Sequence, residues 1–454
     1  MSFSVSVDFS SRKGAIRPLH GVNNGPKTTG FYRDASKLFR EAGIPLCRLH
    51  DTEYPFGSGA FVDIPCIFRD FDADVNDPAS YDFSQTDKYI QAILDVGAKP
   101  LYRLGVSIEH TPVKRNIYAP KDPAKWASIC EHIIRHYNEG WKDGMNAGIE
   151  YWEIWNEPES GSMWIGSREQ YYELYAVTAP LLKASFPNIK IGAYGSCGFY
   201  YLTRVNAENV DTPAGKNWKM FVDYAEDFLA MCAEKSLPLD FFSWHLYGHD
   251  PEEYRTHAKY VREMLDRHGF DKAESVLDEW NLCDDKTGYA FDDMGAPRGA
   301  AFAGSVMTVM QDTAVDAATY YDSQPIMPFC GIFRLTSLTP TCQFYPLKYW
   351  NQLYHDGAET VQVETDVPGL YITAIGTGKR SLLLLSHYNA SDCNFRISFK
   401  GLEKFCSYKI CGVDAAHTDG EIAKGAIDPN YPYFDCMMTG YSVYLCEVRE
   451  LEDK

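Results

Sequence analysis

Two carboxylates, each closing a strand-like run, are the residues of this chain best suited to chemistry. Glu157 ends the run Ile149-Glu-Tyr-Trp-Glu-Ile-Trp-Asn-Glu-Pro158, and Glu279 sits in Glu274-Ser-Val-Leu-Asp-Glu-Trp-Asn281. A pair of carboxyl groups can break a glycosidic bond. One protonates the departing oxygen, and the other attacks the anomeric carbon or activates water. The two residues lie far apart in sequence, so a fold that unites them must bring the ends of distant strands to one mouth.

The neighbouring residues extend the pattern. Glu153, Trp155 and Glu157 share one face by two-residue alternation, and Pro158 ends the pattern. Glu157 then points into the mouth, while Glu153 lies deeper and orients a neighbour. In the second run Asp278 and Glu279 compete. Glu279 is nearer the strand end, and Asp278, of opposite parity, stays as the alternative. The segment Phe242-Ser-Trp-His-Leu-Tyr-Gly248 sets Trp244 near the mouth and His245 and Tyr247 on one face. A tyrosine hydroxyl beside the attacking carboxylate keeps it ionised by donating to it. Arg48 and His50, in Cys47-Arg-Leu-His-Asp51, also share a face. An arginine there needs a carboxylate partner, Glu157 or Glu279, whether its role is structural or substrate-binding. Trp244 and Trp280 join Arg48, His50, Asn156, His245 and Tyr247 as the expected substrate-binding set.

Short apolar runs alternate with longer helical patterns eight times. Expected strands are Leu19–Gly25, Leu46–Asp51, Lys99–Val106, Ile149–Glu157, Ile189–Tyr194, Leu239–Tyr247, Ser275–Trp280 and Ala317–Asp322. Expected helices are Phe31–Ala42, Asp82–Val96, Asp122–Asn138, Arg168–Ser185, Lys219–Lys235, Pro251–His268, Gly299–Asp312 and Pro346–Tyr354. Eight β/α units predict an α/β chain folded as a closed (β/α)8 barrel over residues 18–357, with chemistry at the carboxyl ends of its strands. No Gly-x-Gly-x-x-Gly follows the first strand, which disfavours an open dinucleotide-binding sheet. Beyond residue 357 short β-rich runs take over, separated by turns such as Gly376-Thr-Gly378. They predict an accessory antiparallel β-sandwich over 358–454. The alternating segment Phe3–Phe9 joins it, so residues 1–17 belong to the same domain. The long connections Thr52–Tyr81 and Ser323–Phe344 are expected to wall the pocket and to favour exo action.

The chain has 454 residues, of which 45% are hydrophobic and 14% aromatic. Its net charge of −19 lacks the basic footprint of a nucleic-acid binder. No apolar run approaches a membrane span, and the first residues lack a signal-peptide pattern. The 13 cysteines form no Cys-x-x-Cys pair, so a reduced, cytoplasmic setting is the expectation.

Taken together, Arg48-Leu-His50, Tyr81-Asp-Phe-Ser with Asp87, Gly97-Ala-Lys-Pro100, Trp155-Asn-Glu-Pro158, His245-Leu-Tyr247 and Glu279 resemble glycoside hydrolase family 39, a family of retaining (β/α)8 glycosidases. The resemblance implies Glu157 as acid/base and Glu279 as nucleophile. It implies that Asn156 meets the sugar 2-hydroxyl, that Tyr247 positions Glu279, and that His245, Arg48 and His50 line the sugar site. It implies an oligosaccharide or glycoside substrate, β-xylosides first, with arabinosides, galactosides or uronides as alternatives. No cofactor or metal is implied, and a homo-oligomer is left open. Two features depart from the family. Leu-Asp-Glu-Trp-Asn resembles family 51 arabinofuranosidases, and Arg103 stands where family 39 xylosidases tend to carry an acid. Arg48, Arg103, Lys114, Arg115 and Arg334 are candidates for a uronate clamp. Two other classes compete: a metal-dependent barrel hydrolase using His20, His50, His110 and His245, and a non-catalytic sugar-binding protein.

Overall fold

The computed structural model describes residues 3–28, 33–52, 60–284, 291–324, 331–334, 337–355, 357, 359–376 and 379–451. The start of the expected helix Phe31–Ala42, parts of both long connections and most of the Gly376-Thr-Gly378 turn lie outside these residues.

Eight parallel strands close a barrel in sequence order: β2 (Gly21–Asn23), β3 (Leu46–Leu49), β4 (Lys99–Leu104), β5 (Tyr151–Ile154), β6 (Lys190–Ser196), β7 (Phe241–Gly248), β8 (Glu274–Leu282) and β9 (Ala317–Tyr320). Pairing of Gly21 with Thr319 and Val22 with Tyr320 joins the last strand to the first. Helices return the chain over the outside, and their ends follow local chemistry. Asp122 caps Pro123–Glu139 by accepting from Ala124 and Lys125, and Ser167 forms a capping box with Gln170 at the start of Arg168–Ser185.

Two-residue alternation explains the barrel interior. Leu46, Leu101, Phe241, Val276 and Ala317 form an apolar floor, with Tyr151 packed against it. Two residues further along the same strands stand Arg48, Arg103, Glu153, Ser243, Asp278 and Thr319, all with no exposed surface. The inside of the barrel thus changes from oily to polar in one pleat, on the side where the strands end.

A second sheet holds nine strands. They are β1 (Phe3–Ala15), β10 (Glu359–Thr365), β11 (Leu370–Gly376), β12 (Arg380–Tyr388), β13 (Cys393–Lys400), β14 (Cys406–Val413), β15 (Thr418–Ile427), β16 (Tyr433–Met438) and β17 (Tyr441–Glu450). Their order is β15-β14-β17-β12-β11-β10-β1-β13-β16. Tyr408 of β14 stacks on Phe434 of β16 at 4.1 Å, although these strands stand near opposite ends of that order. The sheet therefore folds over on itself as a sandwich around one core, which includes Val7, Leu383, Ile397 and Val448. The sandwich is not wholly antiparallel as expected: β1 pairs antiparallel with β10 but parallel with β13. An N-terminal strand arriving from outside the local hairpins is free to enter in either direction. Sequence reading also passed over β15 and β16, which carry many polar or exposed residues.

The helix Pro297–Gln311 joins the two bodies. It is buried on all sides from Gly299 to Met310, as expected of a helix that is apolar all round. No helix among the described residues is long and apolar enough to cross a membrane.

Candidate active site

β5 stops at Ile154, earlier than alternation predicts. Trp155 and Glu157 then take positive φ values of 73° and 45°. Side chains rarely adopt this backbone, and such strain gathers at functional sites. The twist breaks the expected face. Glu153 stays inside the barrel, Trp155 turns outward between Trp126 and Trp164, and Asn156 and Glu157 turn back over the mouth. The Glu157 N–H donates to the carbonyls of Tyr194 and Gly195, which pins the loop to the end of β6.

A bulge in β8 settles the competition between Asp278 and Glu279 by admitting both. Trp244 faces Leu277, but the next residue, His245, faces Glu279. One extra residue is thereby inserted. Asp278 lies inward by parity from Val276, and Glu279 lies inward because the register has slipped. The Asp278 carbonyl accepts instead from Asn23 Nδ2 and Thr319 Oγ1, both at 2.6 Å. The opposite parity predicted from sequence therefore does not separate the two carboxyls.

Glu279 is held from three sides. Arg48 Nη1 donates to Oε1 at 2.7 Å, the Tyr247 hydroxyl donates to Oε2 at 2.6 Å, and His50 Nε2 stands 3.7 Å from Oε1. Arg48 also donates to Glu153 at 2.8 Å and to Asn156 Oδ1 at 2.5 Å. His245 Nδ1 lies 2.8 Å from Glu157 Oε1 and 3.5 Å from Glu279 Oε2. One atom each of Glu157, His245 and Glu279 fall within 4.8 Å of one another. The Glu157 side chain is 19% exposed against 7% for Glu279, so Glu157 is the carboxyl more open to solvent.

Burial dominates the electrostatics. It pushes Glu157 up to about 7, against the opposing pull of Arg48. Burial also raises Glu279 above the ordinary glutamate range, while His245, Arg48 and the Tyr247 hydrogen bond counter it. Burial lowers His245 to about 4 and His50 well below its usual value, so both imidazoles are neutral at neutral pH.

Seven of the nine expected site residues converge here: Glu157, Glu279, Arg48, His50, Asn156, His245 and Tyr247. The two tryptophans do not. Trp244 turns outward, donates to Ser275 Oγ and faces Phe199 and His257. Trp280 packs against Tyr254 and Tyr320. Each alternates with an inward neighbour, His245 or Glu279, and so must face the helices. The five basic residues do not form one clamp. Arg103 is tied to Asp63, Lys114 bonds the Glu109 carbonyl, and Arg115 and Arg334 are exposed. Nor do the four histidines meet, because His20 lies against Asn351 and Tyr354. Glu157, His245 and Glu279 have donor types that suit a divalent ion, and His245 Nδ1, Glu157 Oε1 and both Glu279 oxygens make hydrogen bonds within the protein.

Sequence reading missed two buried acids beside the site. Glu159 folds back, accepts from Cys197 N–H at 2.7 Å, and is pushed up to about 8 by burial. Asp51 accepts from the Tyr321 hydroxyl at 2.9 Å and has His50 at 3.4 Å. An extra acid close to Asn-Glu-Pro was the only available signal for the first. Nothing local marked the second.

A closed parallel barrel with two neighbouring carboxyl groups at the carboxyl ends of β5 and β8 is the architecture of a (β/α)8 glycoside hydrolase. The profile of glycosyl hydrolases family 39 matches residues 27–286, more than half of the chain, and the chain belongs to that family. It is 27% identical over 225 residues to a β-xylosidase of Geobacillus stearothermophilus, a match covering 46% of this chain and 39% of that enzyme. It is 23% identical over 443 residues to a β-xylosidase of Caldicellulosiruptor saccharolyticus, covering 88% of this chain and 82% of the other. The structure of a glucosidase from Croceicoccus marinus superimposes with a TM-score of 0.78 at 23% identity over 100% of both chains.

Proposed function

We propose that this chain is a retaining glycosidase that releases a terminal sugar from a β-xyloside-type substrate, with Glu157 as acid/base and Glu279 as nucleophile. The observation that carries the reading is the approach of a Glu157 oxygen to within 4.8 Å of a Glu279 oxygen. Double displacement requires carboxyls about 5–5.5 Å apart, whereas inversion leaves roughly 6.5–9.5 Å for a water. The names of the two β-xylosidase relatives favour xylosides. Residues 18–357 would form the catalytic barrel, and 1–17 with 358–454 the accessory domain.

Each step follows from the environment of one carboxyl. Glu279, bonded by Arg48 and Tyr247, attacks the anomeric carbon as a carboxylate. Glu157, whose titration near 7 keeps a proton available, protonates the leaving oxygen. Glycosylation removes the charge of Glu279, and Glu157 then ionises more easily. It takes a proton from water, which attacks the same anomeric centre and releases the sugar with net retention. His245 orients Glu157, and Asn156, held by Arg48, offers its amide to the sugar.

The test is a panel of p-nitrophenyl glycosides with wild type, Glu157→Ala and Glu279→Ala, the product anomer being followed by NMR. Retained product, two inactive variants, and azide rescue giving glycosyl azides of opposite anomers would support the reading and name the sugar. Inverted product, or full activity in either variant, would overturn it.

A further inference from the structure

The polar layer beneath Glu279 places three carboxyl groups on one guanidinium. Arg48 contacts Glu153 and Asp278 at Nε, each at 2.8 Å, and Glu279 at Nη1 at 2.7 Å. Four of the five N–H hydrogens of Arg48 are committed elsewhere: Nε–H to Glu153, two Nη1–H to Glu279 and Asn23, and one Nη2–H to Asn156. Glu153 has a second donor, the Ser243 hydroxyl at 2.5 Å. Asp278 has none. It has no exposed surface, and neither of its carboxyl oxygens has a hydrogen-bond partner. Its other neighbour is His245 Nε2 at 3.5 Å, an atom that is itself unpartnered. A buried carboxylate without a donor is costly, and one cation cannot balance three anions.

We propose that Glu153 and Asp278 share a single proton and act on Arg48 as a one-charge unit, which makes Asp278 a positioning residue for Glu279. Asp278 carries the proton and donates it to the adjacent Glu153 carboxylate, so its own lack of donors is no longer a penalty. Arg48 then meets two negative charges instead of three. The nucleophile is thereby spared an adjacent anion that would hinder its ionisation. Burial raises Asp278 well above the ordinary aspartate value, while Arg48 and the hydrogen bonds from Asp278 and Ser243 outweigh burial and hold Glu153 below its own. The charged and titratable groups facing the pair are Arg48 from β3, His245 from β7 and Glu279 from β8. Asn23 and Thr319 approach only the Asp278 carbonyl.

The positioning role rests on Glu279 being the nucleophile, but the shared proton does not, so stability is measured as well as rate. Between the ordinary aspartate value of 3.8 and its raised value in the fold, Asp278 is ionised when unfolded and protonated when folded. That difference costs the folded state more as pH rises. Removing the group removes the cost. The Tm of Asp278→Asn minus that of wild type should therefore climb from about pH 4 to about pH 7. Glu153→Gln should show the same climb, because Asp278 then ionises as the carboxylate partner of Arg48. This second variant serves if the first folds poorly. In the pH profile of kcat/KM, Asp278→Asn should leave the acidic limb within about 0.3 units of wild type. The double variant leaves Glu279 alone on Arg48 and should move that limb down by about 1 unit or more. A Tm difference that falls with pH would mean that Asp278 is an ion-paired carboxylate and would overturn the proposal. An acidic limb that drops fully in Asp278→Asn alone would overturn it too. Failure of the azide rescue would count against the assigned nucleophile and leave the Tm result standing.

Discussion

The proposed mechanism needs Glu157 to keep a proton at the pH where Glu279 has lost its own, and burial pushes both upward. On Glu279 burial is opposed by His245, by Arg48 and then by the Tyr247 hydrogen bond, and on Glu157 chiefly by Arg48. Glu279 receives hydrogen bonds from Arg48 and Tyr247, while Glu157 has His245. The expected kcat/KM profile is a bell whose alkaline limb falls as pH rises through about 7, where Glu157 loses its proton. Its acidic limb reports protonation of Glu279 and lies above the ordinary glutamate range. Tyr247→Phe removes one donor from the carboxylate alone. It should raise the acidic limb and lower kcat by roughly 10²-fold. Steady-state kinetics across pH will check this, and an unmoved acidic limb would separate Tyr247 from the nucleophile. Trp244 and Trp280, by contrast, serve the packing behind the site.

At the scale of elements, the site is made where regular strands fail. β5 ends early and β8 carries a bulge, and between them the end of β6 supplies close contact without side-chain bulk. Gly195 has φ +60°, and a Cβ there would stand 2.5 Å from Asn156 Oδ1, 3.0 Å from His245 Nε2 and 3.1 Å from Arg48 Nη2. Gly195→Ala should displace Asn156 and the Arg48 network, cutting kcat/KM by about 10²-fold or more, because small misplacements in an active site are that expensive. Gly97→Ala is the control. Its φ is +85°, but nothing lies within 4 Å of the added carbon. It should cost about 1 kcal/mol of backbone strain and leave kinetics intact. Equal kinetic losses in both variants would show that Gly195 matters for its backbone angle and not for the space it leaves.

Across the whole molecule, the barrel rests on the sandwich through the buried helix Pro297–Gln311. Gly304 is a point of close approach. A Cβ there would meet Ser386 Oγ at 2.9 Å and a methyl of Val443 at 3.0 Å. Ser386 also donates to the Ala301 carbonyl at 2.6 Å, which ties β12 to the helix. Gly304→Leu should force the two bodies apart, lowering stability by about 1–3 kcal/mol as overpacking does. The kcat of the folded fraction should be kept, since the site lies on the strand ends and not on this face. Thermal unfolding followed by calorimetry will check it. An unchanged Tm would mean that the joint yields without cost.

The sequence by itself determined the eight β/α units, the change to β-rich texture near residue 357, and most of the chemical inventory. Period-two and period-3.6 patterns are local, and a residue at a strand end inherits its place from the barrel. Arg48, His50, His245 and Tyr247 were therefore legible from alternation, Glu157 and Glu279 from their places at strand ends, and Asn156 only through the family resemblance that Trp155-Asn-Glu-Pro158 carries. The tertiary structure decided the rest, and always through contacts between distant segments. The slip that turns both Asp278 and Glu279 inward is stabilised by Thr319 on the adjacent β9 and by Asn23 on β2, one strand further round the barrel. The positive φ at Trp155 is held by the Leu104 carbonyl of β4 and that at Glu157 by carbonyls of β6. Both depart from alternation, so patterns that assume it misplace Trp155 and separate Asp278 from Glu279. The entry of β1 parallel to β13 has the same origin, since strand direction is set by which edge a distant segment finds open. The charge on each carboxyl is also set by tertiary structure. In the proposed pair, which of Glu153 and Asp278 keeps the proton depends on the donors that β3 and β7 bring within reach.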